Sequence, residues 1–255
     1  MANKTLDSLK AGNLKKVVLS RVIATGINEN FRAEIFFREL EKQYSTAFVY
    51  LFNLPGIGTW AGATPEVLLR INENYAETVS LAGTKPAEKP DWTQKEMEEQ
   101  QIVTDFIVEK LKETGITDFV QKGVTTVQAG KLAHLKTVFQ IERSEIIGKV
   151  GKLVRQLHPT PAVCGLPREM AYQFILATEN HERRFYTGFL GPVNLHGTLD
   201  LFVNLRCAEI GKKKMNVYVG GGLTASSVTM YEWQETERKS KTLMAVAENL
   251  QTFVP

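Results

Sequence analysis

The C-terminal helical pattern places charged residues on the face that should be buried. From Thr229 onward apolar residues recur at helical spacing, at ~100° per residue. The stripe that should face the interior carries charges in its first turns and apolar side chains afterwards. Buried charges are costly unless they are paired or bound to a metal, so the stripe is expected to run from a core into a polar pocket. The alternative is a helix end that emerges into solvent with a Glu235–Lys239 pair. The members of the stripe are Glu232, Glu235, Lys239, Leu243, Val246 and Leu250.

A second helical segment, Asp91–Glu113, shows the same arrangement after two cap candidates, Asp91 and Thr93. Glu99 lies on its apolar stripe, and Glu96 lies one turn earlier. An acidic helix usually has a plain solvated face, but two helices that direct carboxylates along buried stripes favour a divalent cation. Mg²⁺ suits such oxygen ligands, because it takes one or two carboxylates together with substrate oxygens and water. The apolar members of this stripe are Ile102, Val103, Phe106 and Ile107.

The other segments give a mixture of strand and helix signals. Pro167 after Gly165 marks a helix start. In the strand pattern 200–210, Arg206 shares a face with Phe202, so it is either a solvated strand charge or a half-buried cation able to bind an anion. The mixture predicts an α+β fold with large, mostly antiparallel sheets flanked by helices, in a single domain over residues 1–255. The predicted strands are Lys16–Ala24, Ala47–Asn53, Thr59–Ile71, Tyr75–Leu81, Asp200–Ile210 and Lys214–Val219, and the other predicted helices are Phe31–Tyr44 and Pro167–Thr178.

The glycine triplet Gly220-Gly221-Gly222 precedes the C-terminal helix. It has neither the GxGxxG nor the GxxxxGK[ST] arrangement, which argues against nucleotide binding. We expect the triplet either to let backbone N–H groups approach a carboxylate closely or to form a tight turn.

Composition excludes several classes of function. The chain has 255 residues, of which 43% are hydrophobic and 23% charged, as in ordinary globular proteins. A net charge of +3 without a basic, aromatic-interleaved stripe argues against nucleic-acid binding. No apolar run has the length of a membrane span. The two distant cysteines, Cys164 and Cys207, form no disulfide framework, which favours a reducing compartment and predicts a cytoplasmic protein.

Ten ordered segments resemble one enzyme family from about Lys15 to the C-terminus. The family is the chorismate-utilising enzymes, and the resemblance is strongest to those that make isochorismate. It implies the family's chorismate-binding fold, chorismate as substrate and Mg²⁺ as cofactor. The segments are KKVVLSR (15–21), GATPEVLLR (62–70), LAGT (81–84), KEMEEQQIV (95–103), HLKT (134–137), HPTPAVCGLP (158–167), ERRFYTGFLG (182–191), NLRCAE (204–209), GGGLTASS (220–227) and EWQETERK (232–239).

The resemblance also implies roles for individual residues. Isochorismate formation adds water at C2 of chorismate while the C4 hydroxyl leaves, so it needs a base, an acid and cations for the carboxylates. The family's base falls on Lys16 and its acid on Glu66. Its metal glutamates fall on Glu99 and Glu235, with Glu96 and Glu232 as water-mediated support. The positions that hold the substrate are Ala82, Gly83, Thr84, His134, Ala162, Tyr186, Arg206, Gly220, Gly221, Gly222 and Lys239.

Two positions distinguish among the reactions of the family. Ala82 stands where common aminodeoxychorismate synthases carry a nucleophilic lysine, and Lys16 stands where anthranilate synthases carry glutamine. Ala82 and Lys16 together imply that the family's reaction here is the addition of water to chorismate. Salicylate synthases share both features and then eliminate pyruvate, so salicylate formation is the alternative. A non-catalytic remnant of such an enzyme is a third possibility.

Two departures accompany the resemblance. The family's usual aspartate and histidine around the first metal glutamate appear as Glu96 and Gln100. The family also carries a long N-terminal half before the base, whereas fifteen residues precede Lys16. In the family, that N-terminal half contributes strands and helices that cover part of the catalytic domain. Without it a sheet edge or an apolar face should be left open, so we expect the chain to self-associate through that surface.

Overall fold

A computed structural model describes residues 2–129, 132–195 and 197–252 of the chain. The described residues form seven helices and thirteen strands. The helices are α1 (Ala2–Lys10), α2 (Ala33–Gln43), α3 (Gln94–Glu113), α4 (Arg143–Ile146), α5 (Val150–Leu157), α6 (Arg168–Thr178) and α7 (Thr229–Thr252). The strands are β1 (Lys16–Gly26), β2 (Phe48–Leu54), β3 (Gly58–Thr64), β4 (Val67–Ile71), β5 (Tyr75–Pro86), β6 (Val120–Ala129), β7 (Leu132–Glu142), β8 (Gly165–Leu166), β9 (Phe189–Leu190), β10 (Val193–Leu195), β11 (Thr198–Val203), β12 (Cys207–Ile210) and β13 (Lys214–Leu223).

The strands form two sheets in which every described pairing is antiparallel. The first sheet has the order β2-β3-β12-β13-β1-β8. The second has the order β10-β11-β4-β5-β7-β6, and β9 pairs with β11. Antiparallel sheets flanked by helices confirm the predicted α+β class.

The chain crosses between the two sheets at two neighbouring points. β3 leads into β4 through Glu66, and β11 leads into β12 through residues 204–206. Hydrogen bonds join the crossings, because Val203 N donates to Glu66 O at 2.8 Å and Ala63 N donates to Arg206 O at 3.1 Å. These bonds hold Glu66 and Arg206, which are 140 positions apart in sequence, next to each other in the fold.

Separate cores lie beneath the two acidic helices. The second sheet and helices α3 and α5 bury a cluster that contains Leu68, Leu69, Ile107, Leu111, Phe139, Ile141, Leu153 and Leu157. The first sheet and helices α2 and α7 bury a cluster that contains Phe36, Leu40, Met215, Val217, Leu243 and Val246. As predicted, the apolar half of the α7 stripe lies in a core, and its charged half extends beyond that core.

The predicted strands Asp200–Ile210 and Thr59–Ile71 are wrong as continuous strands. Each is two strands that belong to different sheets. The predicted alternation of faces ends at Val203, and Arg206 takes a left-handed φ of 48° instead of continuing a pleat. Hydrophobic alternation cannot show this break, because both halves of each segment are buried strands.

Other differences lie in the middle of the chain and at the glycine triplet. The hairpin of β6 and β7 and the helices α1, α4 and α5 were not predicted from the pattern. Gly220–Gly222 is an extended part of β13 paired with β1, so the tight-turn alternative is wrong. Helix α3 begins after Thr93, one of the two predicted caps.

Candidate active site

One cavity is lined by residues of both sheets and of both acidic helices. Strands β1 and β13 supply its first wall, β5 and β7 supply a second, and α3 and α7 bring charged side chains to it. Sequence reasoning did not single out seven further lining residues, Val18, Pro65, Leu81, Val163, Leu205, Tyr218 and Val219. Most of these residues lie inside or beside the motifs quoted above, so the motifs could have been used to predict them. The predicted site residues that line the cavity are Lys16, Glu66, Ala82, Gly83, Thr84, Glu99, His134, Ala162, Tyr186, Arg206, Gly220, Gly221, Gly222, Glu235 and Lys239.

Lys16 lies at the first position of β1 and is only 3% exposed. Its neighbour across the sheet is the glycine strand, where a Cβ placed on Gly222 would lie 2.9 Å from Lys16 Cε. Such a contact is too close for a Cβ, so Gly222 leaves the room that the lysine side chain occupies. The described residues give the Lys16 ammonium no hydrogen-bond partner, which leaves it directed at the cavity and its charges.

Glu66 is buried at the first crossing between the sheets, with 7% exposure. Burial raises the pKa of its carboxyl to about 7, although the positive charges of Lys239, Lys16 and Arg206 act in the opposite direction. A carboxyl with this pKa is partly protonated near neutral pH, and its protonated form can donate a proton to a leaving group.

Arg206 and His134 form a hydrogen-bonded pair at the second crossing. Burial lowers the pKa of the His134 imidazole to about 4, so the ring is neutral. A neutral ring has one donor and one acceptor: Nδ1 lies 2.9 Å from the Gly83 carbonyl oxygen and donates to it, and Nε2 accepts from Arg206 Nη2 at 3.0 Å. The pair therefore fixes the guanidinium in the cavity, where it can bind a carboxylate.

Tyr186 approaches the glycine strand from the side opposite α7. A Cβ on Gly220 would lie 2.8 Å from the Tyr186 hydroxyl oxygen, so glycine permits this close approach. Burial raises the pKa of the Tyr186 hydroxyl, which keeps it a neutral O–H group. It can act as a hydrogen-bond donor toward the cavity.

Glu99 and Glu235 bring carboxylates to the cavity from α3 and α7. Burial raises the pKa of Glu99, while Lys16 and Lys95 act against that rise. Burial also acts to raise the pKa of Glu235, but the Lys239 ammonium, 2.6 Å from Glu235 Oε1, outweighs it and the pKa is lowered. Across the described ranges no group of three His, Cys, Asp or Glu side chains forms a protein cage for a metal. Two carboxylates that open onto one cavity fit Mg²⁺, which completes its shell with water and substrate oxygens.

A family model described as "Chorismate binding enzyme" matches residues 1–248. The chain belongs to the chorismate-binding enzymes. The resemblance given by the motifs is therefore confirmed at the level of the family, over nearly the whole chain.

Curated relatives and solved structures of chorismate-binding enzymes match this chain along most of its length. The vibriobactin-specific isochorismate synthase of Vibrio cholerae is 28% identical over 95% of this chain and 64% of that protein. Isochorismate synthase DhbC of Bacillus subtilis is 29% identical over 94% of this chain and 64% of that protein. The crystal structure of DhbC from Bacillus anthracis matches with a TM-score of 0.88 at 28% identity, over 96% of this chain and 69% of that one. The chain thus spans 64% of the length of the two curated relatives.

Two glutamates predicted to support a metal lie outside the set that lines the cavity of this chorismate-binding enzyme. Glu96 forms a capping box with Thr93 at the start of α3, and its other oxygen lies 3.1 Å from Lys85 Nζ. Glu232 accepts hydrogen bonds from Lys95 and from Ser227 Oγ, the latter at 2.9 Å. Sequence reasoning missed Lys95, because a lysine beside an acidic run predicts only a solvated helix face.

No helix within the described residues is both long enough and apolar enough to cross a membrane.

Proposed function

We propose that this chain is a Mg²⁺-dependent isochorismate synthase that interconverts chorismate and isochorismate. The observation that carries the proposal is the placement of Lys16 and Glu66 in one cavity, with burial raising the pKa of Glu66 to about 7. A base and a protonated acid at one site are what water addition with loss of a hydroxyl requires.

Proton transfer between these two residues and the substrate balances the reaction. The side chain of Lys16, acting as the base, takes a proton from water as the water oxygen forms a bond to C2. The ring double bonds shift, the bond from C4 to its hydroxyl breaks, and Glu66 donates the proton that lets the hydroxyl leave as water. One water is consumed and one is released, so the product is an isomer of the substrate.

Cationic and neutral donors position the dianionic substrate. Arg206, held by the neutral His134, and Lys239 supply positive charge to the cavity, and Tyr186 supplies a neutral donor. Arg206 lies at the second crossing, Lys239 on α7 and Tyr186 between α6 and β9, so these groups surround one cavity and do not lie along an open surface. Glu99 and Glu235 would hold Mg²⁺, which when bound supplies positive charge that offsets the carboxylates of chorismate.

Two further facts support water addition over the other reactions of the family. Ala82 lines the cavity at the position where the common aminodeoxychorismate synthases carry a nucleophilic lysine. The relatives also include a vibriobactin-specific isochorismate synthase and MenF of Escherichia coli, named menaquinone-specific, so the proposal covers the reaction that these names share.

The test is one incubation of the purified chain with chorismate, with and without Mg²⁺, followed by chromatographic separation of the products. Isochorismate is expected only with Mg²⁺, and Lys16→Ala is expected to give none above background. Salicylate with pyruvate as the main product would replace the proposal with a salicylate synthase. Anthranilate formed from added ammonium, or no turnover by a folded chain, would also overturn it.

A further inference from the structure

A lysine outside the cavity connects the two helices that carry the metal carboxylates. Lys95 Nζ, on α3, donates to Glu232 Oε1 on α7. The same ammonium lies 3.9 Å from Glu99 Oε1, one helical turn further along α3. Glu232 in turn precedes Glu235 by three residues, which places both glutamates on the same side of α7. Lys95 is thus an ion-pair link between the helices, next to both proposed ligands.

The surroundings of Lys95 make its charge effective over a short distance. Its side chain is 29% exposed, and that of Glu232 is 8% exposed, so water screens the pair only partly. The charges of Glu232, Glu99 and Glu235 all act to raise the pKa of Lys95, although its burial acts against them. A single ammonium is therefore attracted by three carboxylates, two of which are the proposed metal ligands.

A fixed cation at this place must oppose a second cation. Even at an effective dielectric constant of about 20, a positive charge within a few ångströms of a metal ion repels it enough to lower its affinity by more than about tenfold. The link between α3 and α7 also stabilises the metal-free fold, because it neutralises the buried Glu232, which also accepts a hydrogen bond from the Ser227 hydroxyl.

We propose that Lys95 is a tethered cation that holds α3 and α7 together and weakens Mg²⁺ binding at Glu99 and Glu235. This inference rests on the proposed function, since it concerns the metal site of that reaction. It gives Lys95 a positioning role with two consequences of opposite sign. Removing the ammonium strengthens metal binding and weakens the metal-free fold.

The experiment measures Mg²⁺ affinity without substrate, by isothermal titration calorimetry, and thermal unfolding in the presence of a chelator. Lys95→Met should bind Mg²⁺ at least about tenfold more tightly than the original chain and unfold at a lower temperature without metal. Lys95→Gln can still donate to Glu232, so it should show the tighter Mg²⁺ binding with a smaller loss of thermal stability. Lys95→Arg keeps the charge and should restore the original affinity. Lys89→Met is the matched control, because the Lys89 side chain is 83% exposed and, among the described residues, its ion-pair partner is the exposed Asp91.

The outcomes separate the two proposals. Unchanged or weaker Mg²⁺ binding in both Lys95→Met and Lys95→Gln, with binding intact in the original chain, would overturn the role of Lys95 and leave the proposed function standing. If Lys95 only held the two helices together, these variants would show lower thermal stability with no gain in Mg²⁺ affinity. If the original chain and every variant bound no Mg²⁺, the proposed metal site itself would be overturned, and the inference with it. Tighter binding in the two neutral variants, with Lys95→Arg and Lys89→Met unchanged, supports the inference.

Discussion

The sheet side and the helix side of the cavity hold their charged groups in different ways. On the sheet side, Lys16 and Glu66 are 3% and 7% exposed, and burial alone raises the pKa of Glu66 to about 7. On the helix side, each carboxylate has a lysine within 4 Å: Lys95 lies 3.9 Å from Glu99 and Lys239 lies 2.6 Å from Glu235.

This difference separates two kinds of chemistry. On the sheet side the backbone sets the environment, so the protonation state of a side chain follows from how completely the strands enclose it. On the helix side lysine side chains balance the charge of the carboxylates, so the affinity for another cation depends on how closely those ammonium groups are held. In the proposed reaction, proton transfer thus belongs to the sheets and cation binding to the helices.

The largest expected effect comes from the sheet side. Lys16→Ala and Glu66→Gln should each lower kcat by ~10²–10⁴-fold, because each removes an acid or base from the reaction. Binding of chorismate and the fold should persist, which fluorescence titration and circular dichroism can follow. If either variant retained more than about a tenth of the original kcat, the sheet side would not perform the proton transfers.

A smaller effect is expected from the helix side, and it concerns the metal. Glu99→Ala and Glu235→Ala should each weaken Mg²⁺ binding by at least ~10–100-fold, the loss known even for indirect supports of metal sites. Glu98→Ala is the matched control on α3, since Glu98 is exposed and, within the part of the chain that the structure describes, its carboxylate accepts a hydrogen bond from Gln94 alone. Calorimetry measures the affinities, and an unchanged value for Glu99→Ala or Glu235→Ala would remove that residue from the metal site.

The glycine strand tests how closely the sheet side is fitted around the base. Gly222→Ala would put a Cβ 2.9 Å from Lys16 Cε, a flexible atom that can shift, so kcat should fall by about 10–100-fold with little loss of thermal stability. Gly123→Ala, on β6 away from the cavity, is the control, because nothing lies within 4 Å of its added Cβ. Equal kcat values for the two variants would show that Lys16 has more freedom than the structure gives it.

The helix side of this comparison could be predicted from the sequence, because helical period alone shows which carboxylates share a buried stripe. Glu99 and Glu235 both line the cavity as the period of 3.6 indicates. Glu96 is also buried, but its carboxylate caps its own helix and does not line the cavity. A cap is a local alternative that the periodicity does not distinguish from a stripe.

The sheet side could be predicted only through the motifs of the family. Alternation along residues 200–210 does not show that the chain changes sheets at Arg206, because non-local hydrogen bonds to β3 and β4 set that break. For the same reason, the burial of Glu66 and its raised pKa depend on the contact between the crossing at Glu66 and the crossing at residues 204–206. These segments are far apart in sequence, so neither segment alone predicts that Glu66 is buried.

The smallest expected effect is the pH dependence of stability that Glu66 confers. Its carboxyl pKa is raised from an ordinary value of 4.5 to about 7, so the folded chain holds a proton that the unfolded chain has already lost between those values. Stability therefore falls as pH rises through this window, and the loss from pH 6 to pH 8 is about 1 kcal/mol. Glu66→Gln removes the titration, so its unfolding free energy should fall less than that of the original chain over the same range. Urea unfolding at pH 6, 7 and 8 measures both chains, and Glu77→Gln, on β5, controls for loss of a carboxylate elsewhere in the fold. Parallel pH profiles for the original chain and Glu66→Gln would mean that Glu66 is ionised throughout, and the sheet side would then lack the protonated acid that the proposed reaction needs.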